Sequence, residues 1–133
     1  MKLLTNDIRE KLLRNGRSRM QLGQEGRDEP DFSPVVKLFT PDAGCTWLLS
    51  ELDPEEPDIA FGLCDLGMGY PELGYVRISE IQAVRGKLGL PVERDSDFAP
   101  AHPLSVYARA AHKAQVITEC PEDLAQAVNG KGA

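Results

Sequence analysis

The sequence predicts an α+β fold: a small four-stranded antiparallel β-meander with three or four short helices packed around it. Three observations lead there. Across residues 34–94, short apolar runs alternate with turns that carry proline or glycine. These runs follow one another too closely for crossover helices, so successive strands must pair antiparallel. Outside that block, apolar residues recur at helical spacing, first as Leu4, Ile8 and Leu12.

The chain opens with a short amphipathic helix near residues 6–14. Leu13 widens its apolar stripe, Thr5 or Asn6 supplies a cap, and Asp7 suits the first turn. Asn15-Gly16 is a stop signal. Residues 17–34 read as a flexible polar loop carrying Pro30 and Pro34, and a connection of that length is commonly mobile or functional. Residues 35–40 form the first strand. Pro41-Asp42-Ala43-Gly44 turns it, since proline presets the second turn position and glycine accepts a positive φ. Residues 45–52 return. Asp53-Pro54-Glu55-Glu56-Pro57-Asp58 cannot continue a ladder, because its two prolines lack the donor. Residues 59–66 make the third strand; Gly67, Gly69 and Pro71 break it, and residues 74–78 make the fourth.

Alternation assigns faces. In the third strand Ile59, Phe61 and Leu63 share one face, and Ala60, Gly62 and Cys64 the other, where small residues admit a close neighbour such as a helix. In the second, Trp47 and Leu49 oppose Thr46, Leu48, Ser50 and Leu52, so both faces need cover, and an uncovered remainder would be a partner surface. Ser79-Glu80-Ile81-Gln82 has the form of a capping box, with Gly86 placed to end a short helix. Leu88, Leu90 and Val92 are expected to lie extended over the core. His102-Pro103 starts a further helix through Val106, Tyr107, Ala110 and Ala111. A weaker helix runs from Pro121 to Val128 and ends at Gly130. Residues 1–114 thus form one α+β domain, with 115–133 a C-terminal extension, weak helix or tail.

At 133 residues and 41% apolar, the chain can bury roughly two-thirds of its unfolded surface without a staple. Cys45, Cys64 and Cys120 are widely spaced, odd in number and free of any Cys-x-x-Cys pattern, which points to a reduced, cytoplasmic setting. The opening residues lack a signal peptide's apolar region, and no run approaches the ~20 residues of a membrane span. The net charge of −6 is unevenly spread: residues 1–37 carry +2, residues 38–80 carry −8, and residues 81–133 are neutral. Phosphate contacts supply most nucleic-acid affinity, so an acidic chain is a poor candidate for that role. A protein partner with a complementary patch fits better.

The spellings Phe39-Thr40-Pro41-Asp42-Ala43-Gly44, Thr46-Trp47, Glu51-Leu52-Asp53-Pro54, Phe61-Gly62-Leu63, Pro71-Glu72-Leu73-Gly74-Tyr75 and Gly89-Leu90-Pro91-Val92-Glu93-Arg94 together resemble the bacterial family known as domain of unknown function 2958. The resemblance runs from Met1-Lys2-Leu3-Leu4-Thr5 to Pro103-Leu104-Ser105. Cys45, beside the Thr-Trp pair, departs from it. The resemblance implies small proteins of plasmids, integrative elements and phages, with no accepted reaction and no catalytic residues to carry over.

The candidate partner-binding residues are the acidic turn Glu51, Asp53, Glu55, Glu56 and Asp58, together with Tyr70, Glu72 and Tyr75 around the fourth-strand turn. Carboxylates suit hard cations, but the turn lacks the glycine and glutamate spacing of a calcium loop. His102 and His112 fit capping or surface roles, and Cys64 and Ser79 lack an evident base and orienting acid. Gly67-Met68-Gly69 has no P-loop lysine after it. Arg77 is expected to pair across the sheet with Glu51 or Asp65. Trp47 and Phe61 are expected in the core. No catalytic residue, metal ligand or cofactor is assigned. The expected function is that of a non-enzymatic accessory protein of a bacterial mobile element that binds another protein, as a counter-defence inhibitor would. Two alternatives remain open: a metal-dependent hydrolase using Glu51, Asp53 and Asp65, and a nucleic-acid accessory using Arg9, Lys11, Arg14, Arg17 and Arg19. Monomer and homodimer both fit.

Overall fold

The computed structural model describes residues 2–129; Met1 and residues 130–133, including the expected helix end at Gly130, lie outside them. One antiparallel sheet organises the chain. Its strands are β1 (Val36–Phe39), β2 (Thr46–Leu52), β3 (Ile59–Asp65), β4 (Glu72–Arg77) and β5 (Glu93–Arg94), in spatial order β4-β3-β2-β1-β5. The first four make the expected meander. The fifth corrects the strand count: Glu93 and Arg94 pair with Phe39 and Leu38. Four helices complete the fold: α1 (Asn6–Gln24), α2 (Ile78–Ala83), α3 (Leu104–Ala114) and α4 (Pro121–Asn129).

The sheet has cover on both faces, as apolar residues on both sides of β2 require. On one face Val36, Leu38, Trp47, Leu49 and Ala60 pack with Leu12 of α1, Ile78 and Ile81 of α2, and Val92. On the other, Leu48 and Leu63 pack with Leu104, Tyr107 and Ala111 of α3 and with Leu124 and Ala127 of α4. Residues beyond 114 therefore contribute to the core. Buried Asp65 ties the start of that segment down, accepting from Ile117 N–H at 3.0 Å.

Helix α1 runs ten residues past its expected end, and its continuation replaces the first half of the expected 17–34 loop. Both residues of the Asn15-Gly16 stop signal are used in tertiary contacts instead. Asn15 Nδ2 donates to Ser50 C=O at 2.9 Å. Gly16 is buried against the backbone of Leu52, and a Cβ there would overlap the Leu52 carbonyl oxygen. Docking onto β2 thus overrides local propensity. The remaining connection is also anchored: Phe32 C=O accepts from Leu104 N–H at 2.8 Å, and the Asp31 carboxylate receives Ser105 N–H and Oγ–H at the start of α3.

A register shift between Leu49 and Glu51 in β2 changes the expected faces. It returns Leu52 to the Trp47 core and turns Glu51 opposite Phe61. Gly62 lies beside this irregularity, where a Cβ would strike the β2 backbone at Leu48 and Leu49. At Gly62 the small residue admits the β2 backbone, whereas Ala60 on the same face packs against α1 and α2 as expected. Arg77 pairs with neither Glu51 nor Asp65; its guanidinium meets Glu56 at 3.0 Å and Asp58 at 3.6 Å. Ser79 is no capping residue of its own helix. Arg77 occupies the cap position, and Asp58 caps the helix from outside, accepting from Ser79 N–H at 2.9 Å and Oγ–H at 2.6 Å. Only Val92 of the expected apolar trio is buried; Leu88 and Leu90 stay exposed while their N–H groups donate to Asp42.

Candidate protein-binding surface

Strands β3 and β4 are joined by a turn in which Gly67 and Gly69 adopt φ of +78° and +83°, values that L side chains resist. The Asp65 carboxylate fixes its entry by accepting Gly67 N–H at 2.9 Å. The side chains along this turn face outward. Leu66, Met68, Tyr70, Leu73 and Tyr75 are all exposed, Tyr70 at 79% and Tyr75 at 73%. Five large apolar side chains within ten residues exceed what scattered surface hydrophobics explain.

The cluster divides between two concavities. On one side Cys64, Leu66, Met68, Tyr70 and Glu72 line a hollow of about 240 Å³. Burial pushes the Cys64 thiol up to about 11, so it stays protonated at neutral pH. On the other side Tyr75 packs against Phe61 at a tilt of 57°, ring centroids 5.1 Å apart, at the rim of a cleft of about 220 Å³. The cleft floor is an ion pair: Arg19 Nε donates to both oxygens of Glu51, at 2.7 and 2.8 Å. Arg19 also lies within cation–π range of Phe32 and Phe61. Burial raises the Glu51 carboxyl above its ordinary range, and Arg19 opposes that rise.

The expected binding residues therefore have different fates. Glu51 is buried and committed to Arg19, so it presents no charge to a partner. Asp53 shares the cleft and accepts from Glu55 N–H at 2.9 Å. Glu56 and Asp58 gather on Arg77. Hydrogen bonds from Ser79 and then Arg77 hold the Asp58 carboxyl below the usual range. Glu55 and Glu72 are exposed. Tyr70 and Tyr75 are the most exposed of the expected set, on opposite sides of the hairpin. Sequence reasoning missed Leu66, Met68 and Leu73, and named Arg19 only for the nucleic-acid alternative. Leu73 was within reach, since it shares one strand face with Tyr75, which the sequence already singled out.

Two carboxylates of the hydrolase alternative have structural partners, Glu51 with Arg19 and Asp65 with Gly67 and Ile117. No helix among the described residues is long and apolar enough to cross a membrane. A family model described as a protein of unknown function, DUF2958, matches residues 3–118. No curated protein and no solved structure matches the chain.

Proposed function

The chain belongs to the DUF2958 family of proteins of unknown function, and from that premise we propose that it is a protein-binding accessory module. Its docking surface is the β3–β4 hairpin, with Tyr70 and Tyr75 as anchors and Glu55 and Glu72 as charged surroundings. The observation that carries this reading is the concentration of exposed Leu66, Met68, Tyr70, Leu73 and Tyr75 on one hairpin. Aromatic residues and methionine are the types enriched at interfaces, and a charged rim favours a complementary partner. In the mobile-element setting that the family resemblance implies, the partner is a host protein, as counter-defence inhibition requires.

Affinity capture from a bacterial host lysate tests the reading. The native chain should retain one stoichiometric protein, and Tyr70→Ala with Tyr75→Ala should lose it. Leu88→Ala, at an equally exposed position outside the hairpin, should keep it. Glu55→Lys should weaken retention; Asp58 is left intact because it caps α2. Retention unaffected by the tyrosine substitutions would sink the proposal.

A further inference from the structure

The outer strand β4 leaves one row of backbone groups unpaired, and a single bond identifies which. Ile78 N–H donates to Asp58 C=O at 2.8 Å, while Ile59 stands opposite Arg77. Antiparallel geometry then makes Ala60 with Val76, Gly62 with Gly74 and Cys64 with Glu72 the hydrogen-bonded pairs. The N–H and C=O groups of Leu73, Tyr75 and Arg77 point away from β3. Pro71 agrees with this parity: it precedes Leu73 by two residues, at an outward position where a missing donor removes no ladder bond. Among the described residues, no backbone group of another element bonds to Leu73, Tyr75 or Arg77.

Natural sheets blunt such edges with lysines, bulges or a covering element. β4 carries no lysine, and its register with β3 is continuous across six pairs. It exposes Leu73 and Tyr75 on the face where Phe61 continues the apolar surface. Glu72, Gly74 and Val76 occupy the other face.

We propose that β4 takes an extended segment of a partner protein as an antiparallel sixth strand, one that alternates apolar residues on the Phe61–Tyr75 face with basic residues on the Glu72 face. This rests on the protein-binding reading and specifies its mode. Added strands gain affinity from main-chain bonds and specificity from alternate side chains. The apolar residues would stand opposite Leu73 and Tyr75, with their own N–H groups directed at β4. Charge selects the basic set: exposed Glu72 begins the strand on that face, and at its far end Glu56 and Asp58 together outweigh the charge of Arg77. A second copy of this chain would bring its own Glu72, Glu56 and Asp58 to the same edge and has no basic residue on its Glu72 face of β4, which disfavours self-pairing.

The test is NMR titration of the full chain with acetylated, amidated Lys-Val-Lys-Val-Lys-Val-Lys. Amide shifts should centre on Leu73, Tyr75 and Arg77 and saturate. N-methylation of the valines removes the donors aimed at β4 and should weaken binding about tenfold or more. N-methylation of the lysines should change it by about twofold at most, since those donors face away. Replacing lysine by glutamate should also weaken it about tenfold. Absence of shifts at these amides with millimolar peptide would overturn the proposal, as would equal effects from the two methylations. Slow exchange of the Leu73 and Tyr75 amides in the protein alone, with concentration-dependent sedimentation, would overturn it in favour of self-pairing. Should strand addition fail while host-protein capture still depends on Tyr70 and Tyr75, the docking surface stands and only its mode is wrong.

Discussion

Arg19 and Glu51, 32 residues apart in sequence, join α1 to the irregular end of β2 through one Nε that donates to both carboxylate oxygens. The arginine is a quarter exposed and the glutamate nearly buried. Removing one partner therefore leaves the other charge poorly solvated. Arg19→Met should lower the unfolding free energy by about 2–3 kcal/mol, reduced from the fully buried case because water reaches the arginine. Urea denaturation should show the loss, and Arg19→Met with Glu51→Gln should recover most of it. The pH dependence has a definite sign. Glu51 holds its proton more tightly folded than unfolded, so its contribution is complete below the ordinary carboxylate range and falls as pH rises through the folded value. Without Arg19 the carboxyl rises further, and the destabilisation should grow as pH rises above the ordinary carboxylate range. A destabilisation independent of pH would contradict the assignment.

Asp58 has the opposite sign. Its carboxyl is held below the ordinary range by Ser79 and Arg77, so its contribution is present above that range and lost as pH falls through the folded value. Acid unfolding followed by circular dichroism should therefore be shallower in Asp58→Ala than in the native chain. The variant should also be less stable at neutral pH, where α2 loses its external cap. An unchanged acid limb would mean that Asp58 does not cap α2 in solution.

Two glycines of α1 should respond oppositely to alanine. At Gly16 the new methyl would overlap the Leu52 carbonyl, so Gly16→Ala should cost about 1–3 kcal/mol despite alanine's better helix propensity. At Gly23 the same methyl would meet nothing within 4 Å, and Gly23→Ala should stabilise by about 0.5 kcal/mol near the helix end. Urea midpoints of the two variants decide the matter. Similar shifts at both sites would show that helix propensity, not the contact with β2, governs position 16.

Cys64 should be a slow nucleophile. Only the thiolate reacts, and burial holds this thiol protonated up to about 11. Iodoacetamide labelling read by peptide mass spectrometry should be minor at neutral pH and rise about tenfold per pH unit toward that value. Rapid labelling at neutral pH would place Cys64 in a more open hollow than the one lined by Met68 and Tyr70.

The meander was legible because its signals are local. Pro41, Pro54 with Pro57, and Gly67 through Pro71 each end a strand where they stand, and the strands between them need little else. The α+β class follows from the same block together with the flanking helical stripes. Longer-range relations left no such mark. Asn15-Gly16 spells a helix end, yet both residues exist in their tertiary setting to let α1 pass β2. β5 is two residues long and is defined by a partner strand more than fifty residues earlier. The candidate surface was half legible. Tyr70 and Tyr75 stood out by type, whereas the commitment of Glu51 depends on where α1 places Arg19, and that required the extended helix.

The backbone parity of β4 yields a last contrast between neighbours. Leu73 N–H points outward and Gly74 N–H points to Gly62 across the ladder. Proline removes the donor at either position, but only at 74 does that donor hold the sheet together. Leu73→Pro should therefore fold with a modest loss, arising from its half-exposed side chain and the edge backbone. Gly74→Pro should cost about 2 kcal/mol more, the sum of a broken ladder bond and an unsatisfied Gly62 carbonyl. Chemical denaturation of both variants measures the difference. Equal costs, or a larger cost at 73, would reverse the parity and with it the identity of the groups that β4 offers to a sixth strand.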